Sequence, residues 1–316
     1  MSERPDQLIH PPALRPGDGV HVVSPSGPVT PEILAEGLDL LRTWELDVHI
    51  DDDAYHRRPP FDYLAGPDEI RLEAFLRAWS DPDCRAIICS RGGYGAMRLL
   101  PHLHHTRIRS APPLLVGFSD ITALHLYVAG VCNVATLHGP VVKSLRLHSD
   151  SDFDSLEHLH DALFATNPAP QPWTGLRTLR AGRASGPVYG GNLSLLIPLL
   201  SSPYCPPLNG AIIIVEEVGE QDYRLDRLLT ALRLASNADI AGLVLGDFSD
   251  CSGVYVEDGE FSRFLDDLGR QFDCPVVADA PVGHQHRNAS FPVGVQAELD
   301  ADAGTLTFAR HAVEPR

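Results

Sequence analysis

The sequence is poor in basic residues. Its 316 residues include 25 lysines and arginines against 42 aspartates and glutamates, which gives a formal net charge of −17. A nucleic-acid-binding protein needs a basic surface that neutralises phosphates, and no such surface is evident in this sequence. The negative charge also disfavours attachment to an anionic membrane surface. We therefore expect neither nucleic acid nor a membrane among the partners of this protein.

Features of secreted and membrane proteins are missing as well. The N-terminal segment MSERPDQLIHPPALRPGDGV is polar and proline-rich, and it lacks the cationic and apolar regions of a signal peptide. No apolar run approaches the ~18 residues of a membrane-spanning helix. The six cysteines are scattered without a CxxC pair, which disfavours a zinc site and indicates free thiols in a reducing compartment. These observations predict a cytoplasmic protein.

Short β-like runs alternate with helical patterns along the first half of the chain. GVHVV, CRAIIC and LLVG read as strands, and PEILAEGLDLLRTW and DEIRLEAFLRAWSD have helical spacing. This alternation predicts a doubly wound, mostly parallel α/β sheet. In such sheets ligands bind at the carboxyl ends of the strands. The loops SPSG, SRGGYG and GFSD follow three of the predicted strands and are therefore candidate site loops.

A change of composition near the middle of the chain predicts two domains. Residues 167–183 are rich in proline and glycine and are predicted to be a linker. We accordingly expect an N-terminal domain over residues 1–166 and a second α/β domain over residues 184–316. The chain ends in a predicted hairpin, because Asp-Ala-Gly stands between two alternating runs. Some antiparallel strand pairing is therefore expected in the second domain.

Ser119, in GFSD, allows two interpretations. Serine is a preferred helix N-cap, and Asp120 would suit the first helical turn electrostatically. Alternatively, Gly117 permits a tight strand-to-helix turn that presents Ser119 as a nucleophile. Ile121 stands where a G-x-S-x-G motif has its second glycine, so the local motif does not decide between a cap and a nucleophile.

The loop SRGGYG also allows more than one interpretation. Its glycines suit a tight turn with positive φ, or a cradle of amide groups for a phosphate. The loop is not a P-loop, because no Lys-Ser or Lys-Thr follows the glycines. A third use is an oxyanion hole beside Ser119, formed with the amide of Asp120.

A nucleophilic serine needs a base, and the base needs an acid that orients it. Among the 15 histidines, His284 is distinctive because it lies in a glycine-containing loop after a buried-looking strand. A metal pair with His286 is the alternative, although no carboxylate ligand adjoins it. Glu216 and Glu217 follow the apolar run AIIIV, where either a solvated strand end or an acid partner for His284 fits the pattern.

The ordered set of these segments resembles the LD-carboxypeptidase family of serine peptidases, which includes the microcin C self-immunity proteins. The resemblance extends over most of the chain and is carried by VVSPSGPV, SRGGYGAMRLLP, LLVGFSDITALH, LHGPVV, GPVYGGNLSLL, IIIVEEVGE, GLVLGDFSDC and GHQHRNASFPVG. It implies a flavodoxin-like N-terminal domain, a smaller mixed α/β C-terminal domain, a site between the two, and a homodimer.

The resemblance also implies a catalytic triad. Ser119 matches the nucleophile, Glu216 the acid and His284 the base. Side chains alternate along a strand, so Glu216 and Glu217 face opposite ways and only one of them can serve. Because Ser119 is assigned to one domain and the other two residues to the second, relative domain motion would gate the assembly of the triad.

Further residues are implied around the nucleophile. The backbone amides of Gly93 and Asp120 match the oxyanion donors. A carboxypeptidase also binds a terminal carboxylate, for which Arg91 and Gly92 are candidates. An ion pair of Arg91 that structures the loop is the alternative.

The implied reaction is release of the terminal D-Ala of a murein tetrapeptide by hydrolysis of its L,D-amide bond, with no metal or organic cofactor. A self-immunity amidase that cleaves a peptidyl-nucleotide would use the same triad, although the RGGYG loop favours the murein branch. An ordinary α/β-hydrolase esterase fits the chain order Ser, Glu, His but not the missing second glycine. A non-catalytic nucleotide- or sugar-binding module that uses SRGGYG is the alternative of a different class.

Overall fold

The computed structural model describes residues 7–57, 59–145, 155–235, 239–251, 260–285 and 287–316. The described residues form the strands β1 (Gly19–Val23), β2 (Asp47–Ile50), β3 (Cys84–Cys89), β4 (Leu114–Gly117), β5 (Thr136–His138), β6 (Arg177–Arg180), β7 (Arg183–Asn192), β8 (Ile212–Val218), β9 (Gly242–Ser249), β10 (Val276–Ala278), β11 (Phe291–Val293), β12 (Gln296–Asp300) and β13 (Thr305–Phe308). Their α-helices are α1 (Pro31–Thr43), α2 (Asp68–Ser80), α3 (His105–Ile108), α4 (Thr122–His125), α5 (Ser155–Phe164), α6 (Leu193–Leu199), α7 (Asp222–Leu234) and α8 (Phe261–Gly269).

The first sheet has six strands in the order β11-β5-β4-β3-β1-β2. Strands β1 to β5 are parallel, and β11 pairs with β5 in the antiparallel direction. The order β2-β1-β3-β4-β5 is that of flavodoxin-like folds. Strands β3 and β4 are nearly continuous apolar runs because both faces of the sheet are covered. The flavodoxin-like, doubly wound fold predicted for the N-terminal part is confirmed.

The three candidate loops meet at one edge of this sheet. SPSG follows β1, SRGGYG follows β3 and GFSD follows β4, and these three strands are neighbours. Because they are parallel, their carboxyl ends lie at the same edge. The strand order therefore places three loops that are distant in sequence around a single site.

The second sheet has seven strands in the order β13-β12-β7-β8-β9-β10-β6. Strands β7 to β10 are parallel, whereas β12, β13 and β6 pair in the antiparallel direction. The predicted hairpin is confirmed as β12 and β13. The carboxyl ends of β8 and β10 share an edge, so the acidic end of β8 and the loop after β10 lie on the same side of the sheet.

The chain crosses between the two sheets in places that the sequence does not indicate. Residues 167–183, predicted to be a linker, contain β6, which pairs with β10 at the edge of the second sheet. Strand β11 belongs to the first sheet although it lies in the C-terminal part of the chain, and its Phe291 is paired with His138 of β5. A short strand that pairs with a distant partner leaves little signal in its own sequence, which is why both features escape sequence analysis.

Helix α2 has an arginine on its buried face. That face consists of Arg71, Phe75, Ala78 and Trp79. The apolar spacing predicts Phe75 and Trp79 on this face but not Arg71. No described helix, α2 included, is long and apolar enough to span a bilayer.

Candidate active site

Ser119 has an unusual backbone conformation at the end of β4. Its φ is +61°, in the left-handed region that residues other than glycine rarely adopt. The chain then forms a tight 3₁₀ turn, Ser119–Ile121, which leads into α4. A strained serine between a strand and a helix is the arrangement of a nucleophile elbow. An ideal Cβ on Gly117 would lie 2.9 Å from a side-chain atom of Ile121, so a glycine is needed there for the turn to close.

The helix-cap interpretation of Ser119 is wrong. The residue that precedes the 3₁₀ turn in the N-cap position is Phe118, whose backbone is extended, and it makes no side-chain cap hydrogen bond. A capping serine has extended backbone angles and accepts a hydrogen bond from the first helical turn. The left-handed angles of Ser119 do not fit that role. The hydroxyl of Ser119 is therefore available for another function.

The glycine loop lies directly against Ser119. An ideal Cβ on Gly92 would lie 2.9 Å from Ser119 Oγ and 3.5 Å from the amide nitrogen of Asp120. Gly93 has a φ of +114°, and an ideal Cβ on it would lie 3.3 Å from the Cα of Gly27. Because only glycine tolerates such close approach, the backbone of Gly92 lies against the nucleophile, and Gly93 follows it beside Gly27 of the SPSG loop. The structure thus brings the glycine loop, which contains Gly93, to Ser119 and the adjacent Asp120.

The side chain of Asp120 is buried and hydrogen-bonded. Its Oδ2 accepts hydrogen bonds from the hydroxyl of Ser26 at 2.5 Å and from the amide of Ala96 at 2.8 Å. Burial raises the pKa of this carboxyl to about 6, against the opposing effect of the two hydrogen bonds. The sequence suggests a helix-terminal charge and an oxyanion amide for Asp120, whereas the structure shows its carboxylate bonded to the two neighbouring loops.

Glu216 and His284 form a close pair. The Nδ1–H of His284 donates to Oε2 of Glu216 at 2.6 Å, and Glu216 is fully buried. The His284 ring also packs on Phe118, the residue before Ser119, with 4.9 Å between the ring centroids. Burial lowers the pKa of His284 while the hydrogen bond and charge of Glu216 raise it, and the net effect is a raised pKa. This arrangement leaves Nε2 as the ring nitrogen that can act as a base toward Ser119.

Glu217 is held in a different network. Its carboxylate accepts hydrogen bonds from Asn192 Nδ2 at 2.9 Å, from the Ser194 amide at 2.8 Å and from the Val218 amide at 2.9 Å. The backbone N–H of Asn192 donates to Thr122 Oγ1, in α4, at 2.9 Å. Glu216 is therefore bonded to the histidine and Glu217 to the framework, at a point where the pairing of β8 with β9 shifts register.

Main-chain contacts connect the parts of the chain that carry these residues. Strand β11, a few residues after His284, pairs with β5 of the first sheet. On the other side, the amide of Asn192 binds Thr122, three residues after Ser119. The hydrogen bond between Glu216 and His284 joins the end of β8 to the loop after β10.

Arg91 interacts with the neighbouring loop. Its Nη1 donates to the carbonyl of Pro28 at 3.1 Å, and an ideal Cβ on Gly27 would lie 3.2 Å from its Nε. Arg91 thus contacts the neighbouring loop through a main-chain carbonyl, where the sequence suggests an ion pair.

A cavity of about 460 Å³ opens beside the loop that carries His284. Gln285 and Arg287 of that loop line it together with Asp247, and Phe248 and Phe261 contribute apolar surface. Pockets for small ligands have volumes of roughly 300–1,000 Å³ and combine apolar walls with a few polar groups. Its lining does not include Ser119, Glu216 or His284, so the cavity adjoins the loop of His284 without containing the catalytic side chains.

Metal ligands do not cluster in the part of the chain that the structure describes, where no three His, Cys, Asp or Glu side chains are placed to hold an ion. The predicted alternative of a metal pair between His284 and His286 involves a residue that lies outside the described residues.

Two buried residues of the site were not identified from the sequence. Arg71 and Ser26 both contact the loops around Ser119, Arg71 through main-chain carbonyls and Ser26 through Asp120. Ser26 lies in the SPSG loop, which is a candidate site loop because it follows β1. Arg71 lies four residues before Phe75 and eight before Trp79, so the helical spacing that identifies the buried face of α2 contains a signal for it.

Comparison with known proteins agrees with this architecture. The family model of the LD-carboxypeptidase N-terminal domain matches residues 20–139, and that of the LD-carboxypeptidase C-terminal domain matches residues 185–299. A Streptomyces coelicolor protein with a provisional carboxypeptidase name is 41% identical over 97% of this chain and 98% of its own.

Two other relatives have more specific names. The murein tetrapeptide carboxypeptidase of Pseudomonas aeruginosa is 31% identical over 91% of this chain and 95% of its own. The microcin C7 self-immunity protein of Escherichia coli is 27% identical over 78% of this chain and 80% of its own. The chain belongs to the LD-carboxypeptidase family of peptidases.

Proposed function

We propose that this protein is a serine carboxypeptidase that removes the terminal D-Ala from murein tetrapeptides by hydrolysing the L,D-amide bond after the diamino acid. The observation that carries the proposal is the pairing of His284 with the buried Glu216, next to a serine held at positive φ. Membership of the peptidase family and the name of the Pseudomonas aeruginosa relative support the same activity.

The first step is attack of Ser119 Oγ on the scissile carbonyl carbon. His284 accepts the hydroxyl proton at Nε2, because its Nδ1–H is engaged by Glu216. The carboxylate of Glu216 holds the ring in this tautomer and stabilises the imidazolium that forms. Since Glu216 is removed from water, its charge acts on the ring with little screening.

The negative charge that develops on the carbonyl oxygen needs hydrogen-bond donors. We assign this role to the backbone amides of Gly93, in the glycine loop that packs on Ser119 through Gly92, and of Asp120, in the 3₁₀ turn. Donors that are fixed before the reaction stabilise the tetrahedral intermediate without reorganisation. The side-chain-free Gly92 leaves the space that the substrate carbonyl requires.

Collapse of the intermediate breaks the amide bond, and the imidazolium of His284 gives its proton to the leaving D-Ala amine. The peptide then remains as an ester on Ser119. A water molecule that His284 deprotonates attacks this ester and regenerates the hydroxyl. No step of this sequence requires a metal or an organic cofactor.

We assign the binding of part of the substrate to the cavity beside the loop that carries His284, whose size and mixed polarity suit a short peptide. Arg91 shapes the loop through Pro28, and we give it this role in preference to direct binding of the terminal carboxylate.

We also propose a cytoplasmic homodimer, on the basis of the resemblance; light scattering of the purified chain tests the dimer.

A self-immunity amidase that acts on an aminoacyl-nucleotide would use the same residues. Mass spectrometry after incubation with a murein tetrapeptide, an all-L tetrapeptide and an aminoacyl-nucleotide separates the two functions. We expect loss of alanine from the murein tetrapeptide alone. Cleavage of the nucleotide conjugate alone would replace the proposed function with the immunity function, and nucleotide binding without any cleavage would indicate a binding module.

A further inference from the structure

Arg71 is a buried cation on the inner face of α2, with 2% of its surface exposed. Its Nη1 donates to the carbonyl oxygens of Pro25 and Gly95, the latter at 2.9 Å, and its Nη2 donates to Asp68 Oδ1 at 2.5 Å. Burial of a guanidinium is unfavourable unless hydrogen bonds replace those of water. Two of the replacing acceptors belong to the loops around Ser119, because Pro25 lies in SPSG and Gly95 in SRGGYG.

The carboxylate of Asp120 binds the same two loops at the adjacent residues. Its Oδ2 accepts from the hydroxyl of Ser26, which follows Pro25, and from the amide of Ala96, which follows Gly95. Each loop is therefore held by two hydrogen bonds. Arg71 binds one main-chain carbonyl of each loop, and the carboxylate of Asp120 binds a donor of the next residue. The opposite charges of Arg71 and Asp120 also attract one another.

The glycine loop needs such restraint in order to serve as an oxyanion hole. Gly93 and Gly95 have φ values of +114° and +131°, and glycine has access to many other conformations. An ideal Cβ on Gly95 would lie 2.7 Å from Arg71 Nη1, so the loop packs directly on the guanidinium. At its other end the loop is held by Ser90, whose Oγ lies 2.7 Å from Ser24 Oγ. The segment that carries the Gly93 amide is thus fixed at both ends.

We propose that Arg71 and the carboxylate of Asp120 form a clamp that positions the Gly93 amide for the transition state without contacting the substrate. The inference rests on the proposed function in one respect, which is the assignment of Gly93 as an oxyanion donor. Arg71 and the side chain of Asp120 have a positioning role, since they act through the backbone of the two loops, whereas the backbone amide of Asp120 is itself an oxyanion donor.

The test compares Arg71→Lys with Arg77→Lys. Lysine keeps the charge at position 71 but cannot donate in a planar fork to two carbonyls and a carboxylate. Arg77 lies on the exposed face of the same helix, where it pairs with Asp51 and Asp53, and serves as the matched control. We expect Arg71→Lys to lower kcat by about 100-fold, because small displacements of catalytic groups have effects of this size. KM should change little, and the control should behave as wild type.

A tetrahedral analogue distinguishes positioning from a general structural effect. A peptide boronate that forms an adduct with Ser119 places an oxygen in the oxyanion hole, whereas an uncleaved tetrapeptide bound to Ser119→Ala does not carry that charge. We expect Arg71→Lys to weaken inhibition by the boronate by about the factor by which it lowers kcat. When Arg71→Lys is added to Ser119→Ala, the affinity for the uncleaved tetrapeptide should not change. Equal weakening of both ligands, or wild-type boronate inhibition, would overturn the proposal.

Two milder variants keep the test decisive if Arg71→Lys does not fold. Ser26→Ala removes one bond of the clamp, and Asp120→Asn keeps the size and one acceptor oxygen of the side chain. Both variants should lower kcat while leaving the affinity for the uncleaved tetrapeptide, measured in the Ser119→Ala background, nearly unchanged. A wild-type kcat in both variants would contradict the clamp.

Hydrolysis of p-nitrophenyl acetate at Ser119 provides the same readout without a murein substrate. If wild type hydrolyses this ester but no tetrapeptide, the proposed function fails while the clamp is still tested.

Discussion

The Nδ1 of His284 lies 2.6 Å from Oε2 of Glu216, although the two residues are 68 positions apart in the chain. Strands β8 and β10 bring them together at one edge of the second sheet. The packing of His284 on Phe118 then places the pair next to Ser119 of the first sheet. The catalytic account depends on this relationship, because it fixes which nitrogen of the imidazole remains free for the serine.

The two adjacent glutamates should differ sharply on substitution. Glu216→Gln removes the charge that stabilises the imidazolium and allows the wrong tautomer, so kcat should fall by about 10³-fold or more. Glu217→Gln disturbs a framework network of three hydrogen bonds, so it should cost about 1–3 kcal/mol of stability and lower kcat by less than about tenfold. Steady-state kinetics and thermal unfolding of both variants check this. The reverse pattern would give the triad role to Glu217.

The catalytic efficiency, kcat/KM, should fall as the pH becomes acidic. The base must be neutral to accept the proton of Ser119, and Glu216 raises the pKa of His284 above its usual value of 6.5. The plot of kcat/KM against pH should therefore fall as the pH drops through a value above 6.5, which belongs to the coupled pair. In Glu216→Gln the anion is gone, so protonation of His284 becomes less favourable and the acidic limb should move to lower pH. If the acidic limb of the profile lies at the same pH in Glu216→Gln as in wild type, the pairing of Glu216 with His284 is contradicted.

Gly92 should tolerate no side chain. In Gly92→Ala the new methyl group would lie 2.9 Å from Ser119 Oγ and close to the Asp120 amide, so kcat should fall by about 100-fold or more. Gly210→Ala is the control, because Gly210 has a φ of +72° and nothing within 4 Å of an added Cβ. The control should lose about 1 kcal/mol of stability from backbone strain and keep its activity. Equal activity of the two variants would argue against the proposed position of the substrate carbonyl.

The strain at Ser119 should be measurable as stability. Ser119→Ala and Ser119→Gly both remove the nucleophile, but only glycine adopts a φ of +61° without steric cost. The glycine variant should therefore be more stable than the alanine variant by about 1 kcal/mol, as read from chemical denaturation. Identical unfolding midpoints would indicate that the elbow is unstrained.

The N-terminal architecture is largely predictable from the sequence, because parallel strands and their helices leave local, repeated patterns. The β3 and β4 runs are apolar throughout, and the loops after them contain the glycines and the serine of the site. The choice between Glu216 and Glu217 is different, since alternation states only that they face opposite ways. Which of them meets His284 depends on the packing of β8 against its neighbours.

The features that escape sequence analysis arise from distant contacts. Ser119 satisfies local rules for a helix cap, and only the surrounding fold holds it at positive φ. Arg71 looks like a solvated charge until the loops around Ser119 supply acceptors for it. Strand β11 has three residues, and its pairing with β5 is set by tertiary structure.

The most direct test of the central claim is mass spectrometry of a diaminopimelate- or lysine-containing murein tetrapeptide after incubation with wild type and with Ser119→Ala. The account predicts that wild type converts the tetrapeptide to the tripeptide and free alanine, while folded Ser119→Ala leaves it intact. Release of alanine by Ser119→Ala at the wild-type rate would contradict the assignment of Ser119 as the nucleophile.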